Sequence, residues 1–164
     1  MVACDQKGLE SLVVWRRSQD FAIEICRNII ALFPDHEKYA LTSQLRRSVQ
    51  SIPANIAEGY GRFYYQEGIR FTYIARGSLE ETYSHLQFAN KMGYIPDEVF
   101  GDLASKINDL RKITNGFINY LKKSKRGISE PGSEHYIHSP EITYIGRNAF
   151  DINRSVSDLE ESDH

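Results

Sequence analysis

The chain is poor in residues that cross-link or interrupt a small protein. It has two cysteines in 164 residues, Cys4 and Cys26. That is too few for a framework of several disulfides, and the pair reads as reduced thiols of a cytoplasmic protein. Only three of its prolines, Pro34, Pro53 and Pro96, precede residue 126, so long stretches there are free to be helical. No stretch approaches the roughly 20 apolar residues that span a bilayer, which excludes a membrane helix. The N-terminus, MVACDQKGLESL, lacks a basic segment followed by an apolar one, so it is not read as a secretory signal. Strand-like alternation and solenoid-length repeats are also missing. Nor is there a large excess of charge: 20 Lys or Arg face 22 Asp or Glu, a net −2. Total charge therefore points to neither nucleic acid nor membrane.

What charge there is lies unevenly. Residues 1–125 hold 17 Lys or Arg and 14 Asp or Glu, net +3, whereas residues 126–164 hold 3 and 8, net −5. A mildly basic body carries an acidic tail. From Arg126 the helical period is lost, Pro131 and Pro140 appear, and the chain closes on SVSDLEESDH. Residues 126–164 are expected to be disordered. One island within them, from His135-Tyr136-Ile137 through Tyr144-Ile145, has aromatic and β-branched content and is the part most suited to pairing or docking. Residues 1–11 are expected to be a flexible lead-in, which leaves 12–125 as the structured body.

That body reads as four helices. Phe21, Ile25, Ile29 and Phe33 step by four from Trp15 onward, flanked by Ala22, Cys26 and Ile30, until Pro34 ends the run. Cys26 is expected in the core. A second helix begins between Glu37 and Thr42. A third spans about Gln66 to Met92, with a seam of Thr72, Ala75, Leu79, Thr82, Leu86 and Ala89. Gly93 is a good C-terminal stop, over which Tyr94 and Ile95 can fold back. Pro96-Asp97-Glu98 opens a fourth helix, whose seam runs Phe100, Leu103, Ile107, Leu110, Thr114, Phe117 and Leu121. Lys122, Lys123 and Lys125 suit its carbonyl end. Ile113, Ile118 and Tyr120 lie off that seam and suggest a second partner, such as another subunit. Four long amphipathic helices with short connections give an all-α, antiparallel up-down-up-down four-helix bundle.

The chain is organised around the second of these helices, Leu41 to Arg62, LTSQLRRSVQSIPANIAEGYGR. Leu41, Leu45, Val49, Ile52 and Ile56 form its apolar row. Arg47, Ser51, Asn55 and Glu58 lie together on another side. Pro53 falls mid-helix, where it removes one backbone hydrogen bond at a cost of about 3 kcal/mol. Gly59 and Gly61 suit a left-handed C-terminal cap. The LRR, the SIPANIAEG and the spacing of the later helices resemble the family of small bacterial four-helix bundle proteins encoded in intervening sequences of 23S ribosomal RNA genes. The accessory variability determinant of diversity-generating retroelements is of the same family. The resemblance covers roughly Leu12 to Lys123. It implies a homo-oligomer, specifically a homopentamer, and a nucleic-acid or reverse transcriptase partner. The mildly basic body and acidic tail depart from the highly basic retroelement protein.

No residue set names a reaction. A di-metal bundle site needs Glu-x-x-His motifs on facing helices, and no Glu-x-x-His lies in the four helical segments. The nearest fragment is Glu80-Glu81 with His85, which reads as a solvated face. Cys26 has no evident His partner, and Ser43, Ser48 and Ser51 have no base placed by a motif. Gly59-Tyr60-Gly61-Arg62 has neither the preceding strand nor the following Gly-Lys of a phosphate loop. Neither metal nor cofactor is expected, nor is an enzyme.

Arg47, Ser51, Asn55 and Glu58 read first as a hydrogen-bonded structural network that compensates for Pro53, and second as a binding face. Arg16, Arg17, Arg62, Arg70 and Arg76 are the candidate nucleic-acid contacts, with Phe63, Tyr64, Tyr65, Phe71 and Tyr73 interleaved. Arginines among aromatic rings suit backbone charge and base stacking of RNA or single-stranded DNA. The reading is a non-enzymatic oligomeric bundle binding RNA, DNA or a ribonucleoprotein as an accessory factor. The competing class is a structural or protein-interaction module without a nucleic-acid partner.

Overall fold

The computed structural model describes residues 8–62 and 64–125. They belong to one unit, Met1–Ser133. Cys4, Phe63 and the expected tail lie outside the described residues. Four long helices make up the body: α1 (Val13–Glu24), α2 (Leu41–Gly61), α3 (Tyr65–Lys91) and α4 (Asp97–Ser124). No strand occurs among the described residues. Before α1, Leu9–Ser11 forms a 3₁₀ turn within the expected lead-in.

The first helix is continued beyond Glu24 by a wide π turn over Ile25–Ile29 and a tight 3₁₀ turn over Ile30–Leu32. The wide turn is seen in the Ile30 N–H, which reaches the Ile25 carbonyl five residues back. Its cause is in the spacing. A step of four residues overshoots one α-helical turn by about 40°, so Phe21, Ile25, Ile29 and Phe33 would drift around a regular helix. One wider turn keeps these steps of four facing inward, and all four are buried. Cys26 packs half-buried against this core.

Helix α2 runs unbroken through Pro53. Its apolar row is buried along its whole length, with Leu45 and Val49 fully enclosed. Gly59 and Gly61 do not cap it: among the described glycines only Gly93 has a positive φ, 75°, and α2 closes on Arg62 in extended conformation. Gly59 instead sits where α2 meets α3. A Cβ there would lie 3.0 Å from the Phe71 Cβ and 3.1 Å from the Gly68 carbonyl oxygen. The close approach of α2 and α3 is thus made by the Gly59–Gly68 pair, while Gly77 faces open space.

The α3 seam is buried throughout, and Gly93 ends the helix as its sequence suggests. The Tyr94 N–H folds back to the Ala89 carbonyl at 2.9 Å, and Ile95 is buried beneath. In α4 the buried residues are Leu103, Ile107, Leu110, Thr114 and Ile118. Ile118 therefore belongs to the core, not to an outer strip, while Phe117 and Leu121 are half-buried.

Contacts between helices give their directions. Ser48 meets Thr82 and Ser51 meets Ser78, so rising numbers on α2 face falling numbers on α3. Arg76 meets Asn115 and Glu80 meets Arg111 in the same reversed order between α3 and α4. On α1 and α4, Glu24 pairs with Lys106, while Leu12 shares a pocket with Phe117 and Leu121. Each of these three pairs runs antiparallel.

Candidate nucleic-acid interface

The polar set on α2 separates into two kinds of contact. Asn55 Nδ2 donates to the Ser51 carbonyl at 2.8 Å and to Ser51 Oγ at 2.9 Å. Ser51 Oγ lies 2.8 Å from Ser78 Oγ, and Ser78 donates to the Ile74 carbonyl at 3.2 Å. This chain of bonds ties α2 to α3. Arg47 lies outside it, donating to Gln44 Oε1 at 2.8 Å, and Glu58 pairs with Arg62 one turn on. Proline at 53 frees the Val49 carbonyl, four residues back. Asn55 donates instead to Ser51, so its bond serves the helix contact.

The five candidate arginines occupy different faces. Arg16 Nη1 donates to the Glu10 carbonyl at 2.9 Å. Arg17 lies on a groove of about 450 Å³ between α1 and α4, floored by Phe21, Leu110 and Ile113. Three cations, Arg17, Lys106 and Lys112, and three carboxylates, Asp20, Glu24 and Asp109, rim that groove, so its charges balance and it offers an anion no preference. Arg62 lies over the Phe71 ring at 5.1 Å and pairs with Glu58. Arg76 covers the Tyr73 ring at 4.8 Å and donates to Asn115 Oδ1 at 3.0 Å. Arg70 is exposed on α3. Phe71 and Tyr73 are thus each covered by a guanidinium, a cation–π arrangement.

The antiparallel registers nevertheless bring four of the five arginines, Arg16, Arg62, Arg70 and Arg76, to one half of the bundle. A plane through the Ser51–Ser78 bond, extended by the α3–α4 and α1–α4 pairings, leaves residues 8–16, 52–77 and 114–125 on one side, with Arg17 at the plane itself. That half holds seven Lys or Arg against three Asp or Glu, formally +4. The other half holds eight against ten, formally −2. Lys122, Lys123 and Lys125 join the arginines at the basic end.

The same end carries an aromatic pocket of about 160 Å³, formed where the start of α1, the α2–α3 turn and the end of α4 converge. Leu12, Tyr60, Tyr64, Tyr65, Phe117 and Tyr120 line it, with Arg62 and Ser124 on its wall. The Phe117 and Tyr120 rings are nearly parallel, 17° between planes, with centroids 6.2 Å apart. Tyr60 and Tyr120 are exposed. Sequence reasoning named Tyr64 and Tyr65 but gave Tyr60 to a helix end and Tyr120 to a subunit strip. The usable signal was that both aromatics sit within a turn or so of the basic residues Arg62 and Lys122.

In the acidic half, Arg111 binds both Glu80 carboxylate oxygens at 2.6 Å and lies over Tyr83. The Glu80 bond raises the guanidinium pKa beyond its already high value. His85 Nε2 is 3.6 Å from Glu81 and has no hydrogen-bond partner. Among the described residues no group of three or more His, Cys, Asp or Glu is placed to hold a metal, and no helix is long and apolar enough to cross a membrane.

These features define a four-helix protein with a charge-segregated body and one aromatic pocket at its basic end. The profile of the family described as 23S rRNA-intervening sequence protein matches residues 10–116, and the chain belongs to that family. A crystal structure of a protein of unknown function from the S23 ribosomal protein family of Bacteroides thetaiotaomicron is similar, with a TM-score of 0.59 and 25% identity over 65% of this chain and 98% of that one. No curated protein matches.

Proposed function

We propose that this protein is a non-enzymatic accessory factor that binds single-stranded RNA through the basic end of its bundle. The observation that carries the reading is the convergence of charge and aromatic surface. The half with formal charge +4 is the half that holds the Tyr60–Tyr120 pocket. Phosphates are drawn by lysine and arginine, whereas unpaired bases are held by ring faces. Membership of a family described by a ribosomal RNA intervening sequence is in keeping with an RNA partner.

A homo-oligomer, a pentamer by family resemblance, would repeat this basic end around an axis and strengthen its field. Exposed Ile74 and Phe88 on α3, and Met92 just beyond its end, favour such self-association. Both statements are tested together by light-scattering mass with and without a short single-stranded RNA, at low and moderate salt. The expected result is a multiple of the 18.9 kDa chain that gains mass with RNA at low salt and loses it as salt rises. An oligomer indifferent to RNA at low salt would sink the nucleic-acid reading in favour of a protein-interaction module.

A further inference from the structure

Resting on the RNA-binding reading, we infer that the pocket between the α2–α3 turn and the end of α4 is a seat for one unpaired RNA base. Its walls explain why. A nucleobase has two apolar faces and a polar edge, and it arrives attached to a phosphate. Tyr60, Tyr64, Tyr65, Phe117 and Tyr120 line the pocket with aromatic rings, and the four tyrosines among them also carry a phenolic hydroxyl. Phe117 and Tyr120 already lie as a near-parallel pair, which a third flat ring can extend. The exposed ring of Tyr120, 63% accessible, leaves that position open to solvent.

Charge selects between occupants. An apolar side chain of a partner protein would gain from the rings alone and be indifferent to cations. Here Arg62 stands on the pocket wall, and Lys122 and Lys123 follow Tyr120 closely on α4. Across this half, cations exceed carboxylates by seven to three. Rings surrounded by cations fit a flat base that carries its own anionic backbone. The larger α1–α4 groove has neither feature, since aromatic surface is limited to Phe21 and its charges cancel. Duplex RNA keeps its bases stacked inside the helix, so it reaches the cations but not the pocket.

The test uses the full chain and fluorescence anisotropy with three labelled probes of equal length: a single-stranded oligouridine, the same strand with abasic ribose at every internal position, and a duplex RNA. The oligouridine is expected to bind roughly tenfold more tightly than the abasic strand, in keeping with base–aromatic stacking. Tyr120→Ala, and Tyr60→Ala with it, should remove that advantage while leaving duplex binding and the salt dependence unchanged. The abasic probe reads the same interaction without altering the protein, so a variant that fails to fold does not decide the matter. Equal affinity for oligouridine and abasic strand would overturn the base seat while leaving an RNA-binding protein. Loss of duplex and oligouridine binding in equal measure on Tyr120→Ala, with the fold intact by circular dichroism, would overturn it too. Absence of binding to all three at low salt would instead defeat the RNA reading beneath it.

Discussion

Gly59 and Gly77 are both helical glycines, yet a methyl group acts on them in opposite directions. At Gly77 a Cβ meets nothing within 4 Å, so alanine only removes freedom from the unfolded chain. Gly77→Ala is expected to stabilise by about 0.5–1 kcal/mol. At Gly59 the same group meets Phe71 and the Gly68 carbonyl, at 3.0 and 3.1 Å. One obstacle is backbone and cannot turn aside, so α2 and α3 must separate. Overpacking of this kind costs about 1–3 kcal/mol, which outweighs the gain in helix propensity of about 1 kcal/mol. Urea midpoints of the two variants should move apart, Gly77→Ala upward and Gly59→Ala downward. The sequence marked Gly59 without revealing its role. Gly59 lies near a helix end, where a glycine ordinarily suggests a cap, and only its distance to Gly68 reveals the close approach. Pro53 was similarly legible as a mid-helix proline, whereas the partner of Asn55 was not. That partner is fixed by Ser78, twenty-three residues further on.

Among the elements, the α1–α2 connection is fastened to the α3–α4 connection at the end away from the pocket. Glu37 does this with both carboxylate oxygens: one accepts the Tyr94 hydroxyl at 3.0 Å, the other the Leu41 N–H at 3.1 Å at the start of α2. Tyr94 also packs its ring against Phe33, 5.9 Å between centroids. Glu37→Ala removes a helix-start acceptor and leaves the Tyr94 phenol only its longer contact with His36 Nε2, 3.4 Å, for an expected loss of about 1–2 kcal/mol in chemical unfolding. Burial, and then the hydrogen bond and negative charge of Glu37, raise the Tyr94 pKa above its ordinary value. A raised pKa means that the fold favours the neutral phenol. Its contribution is therefore complete below about pH 10, the unperturbed value, and is lost as pH rises through the raised one. Thermal melts of wild type and Tyr94→Phe should differ at pH 8, and the gap should close in strongly alkaline solution. Pro34 and Gly93 announced these two turns, and the core seams between them were read nearly residue by residue. The Glu37–Tyr94 bond was not legible, because spacing rules describe neighbours within a turn and these residues are 57 apart.

At the scale of the whole molecule, folding sorts charges that look mixed along the chain. Hydrophobic period says which side of each helix faces inward; the end at which a residue lies depends also on the order and direction of the helices. With α2–α3, α3–α4 and α1–α4 antiparallel, Arg16, Arg62, Arg70 and the lysines after Tyr120 fall together, although more than 100 residues separate the first from the last. That is why a net +3 over 125 residues understates the field at one end. Two double variants with the same change in total charge test this directly. Arg62→Ala with Arg70→Ala alters the +4 half, and Arg27→Ala with Arg46→Ala alters the −2 half. Removing the exposed Glu58–Arg62 pair should cost at most about 1 kcal/mol of stability, as is usual for surface ion pairs. If net charge alone governed RNA binding, both variants would weaken it equally. If the basic end holds the phosphates, only the first variant weakens binding. Its dependence of log affinity on log salt then becomes shallower by about 0.7 for each phosphate of a single strand that is no longer neutralised. Anisotropy titrations at three salt concentrations distinguish the two cases. Each phosphate paired with a cation displaces counterions and so sets the slope, whereas a general loss of attraction from the acidic half leaves the number of displaced ions the same.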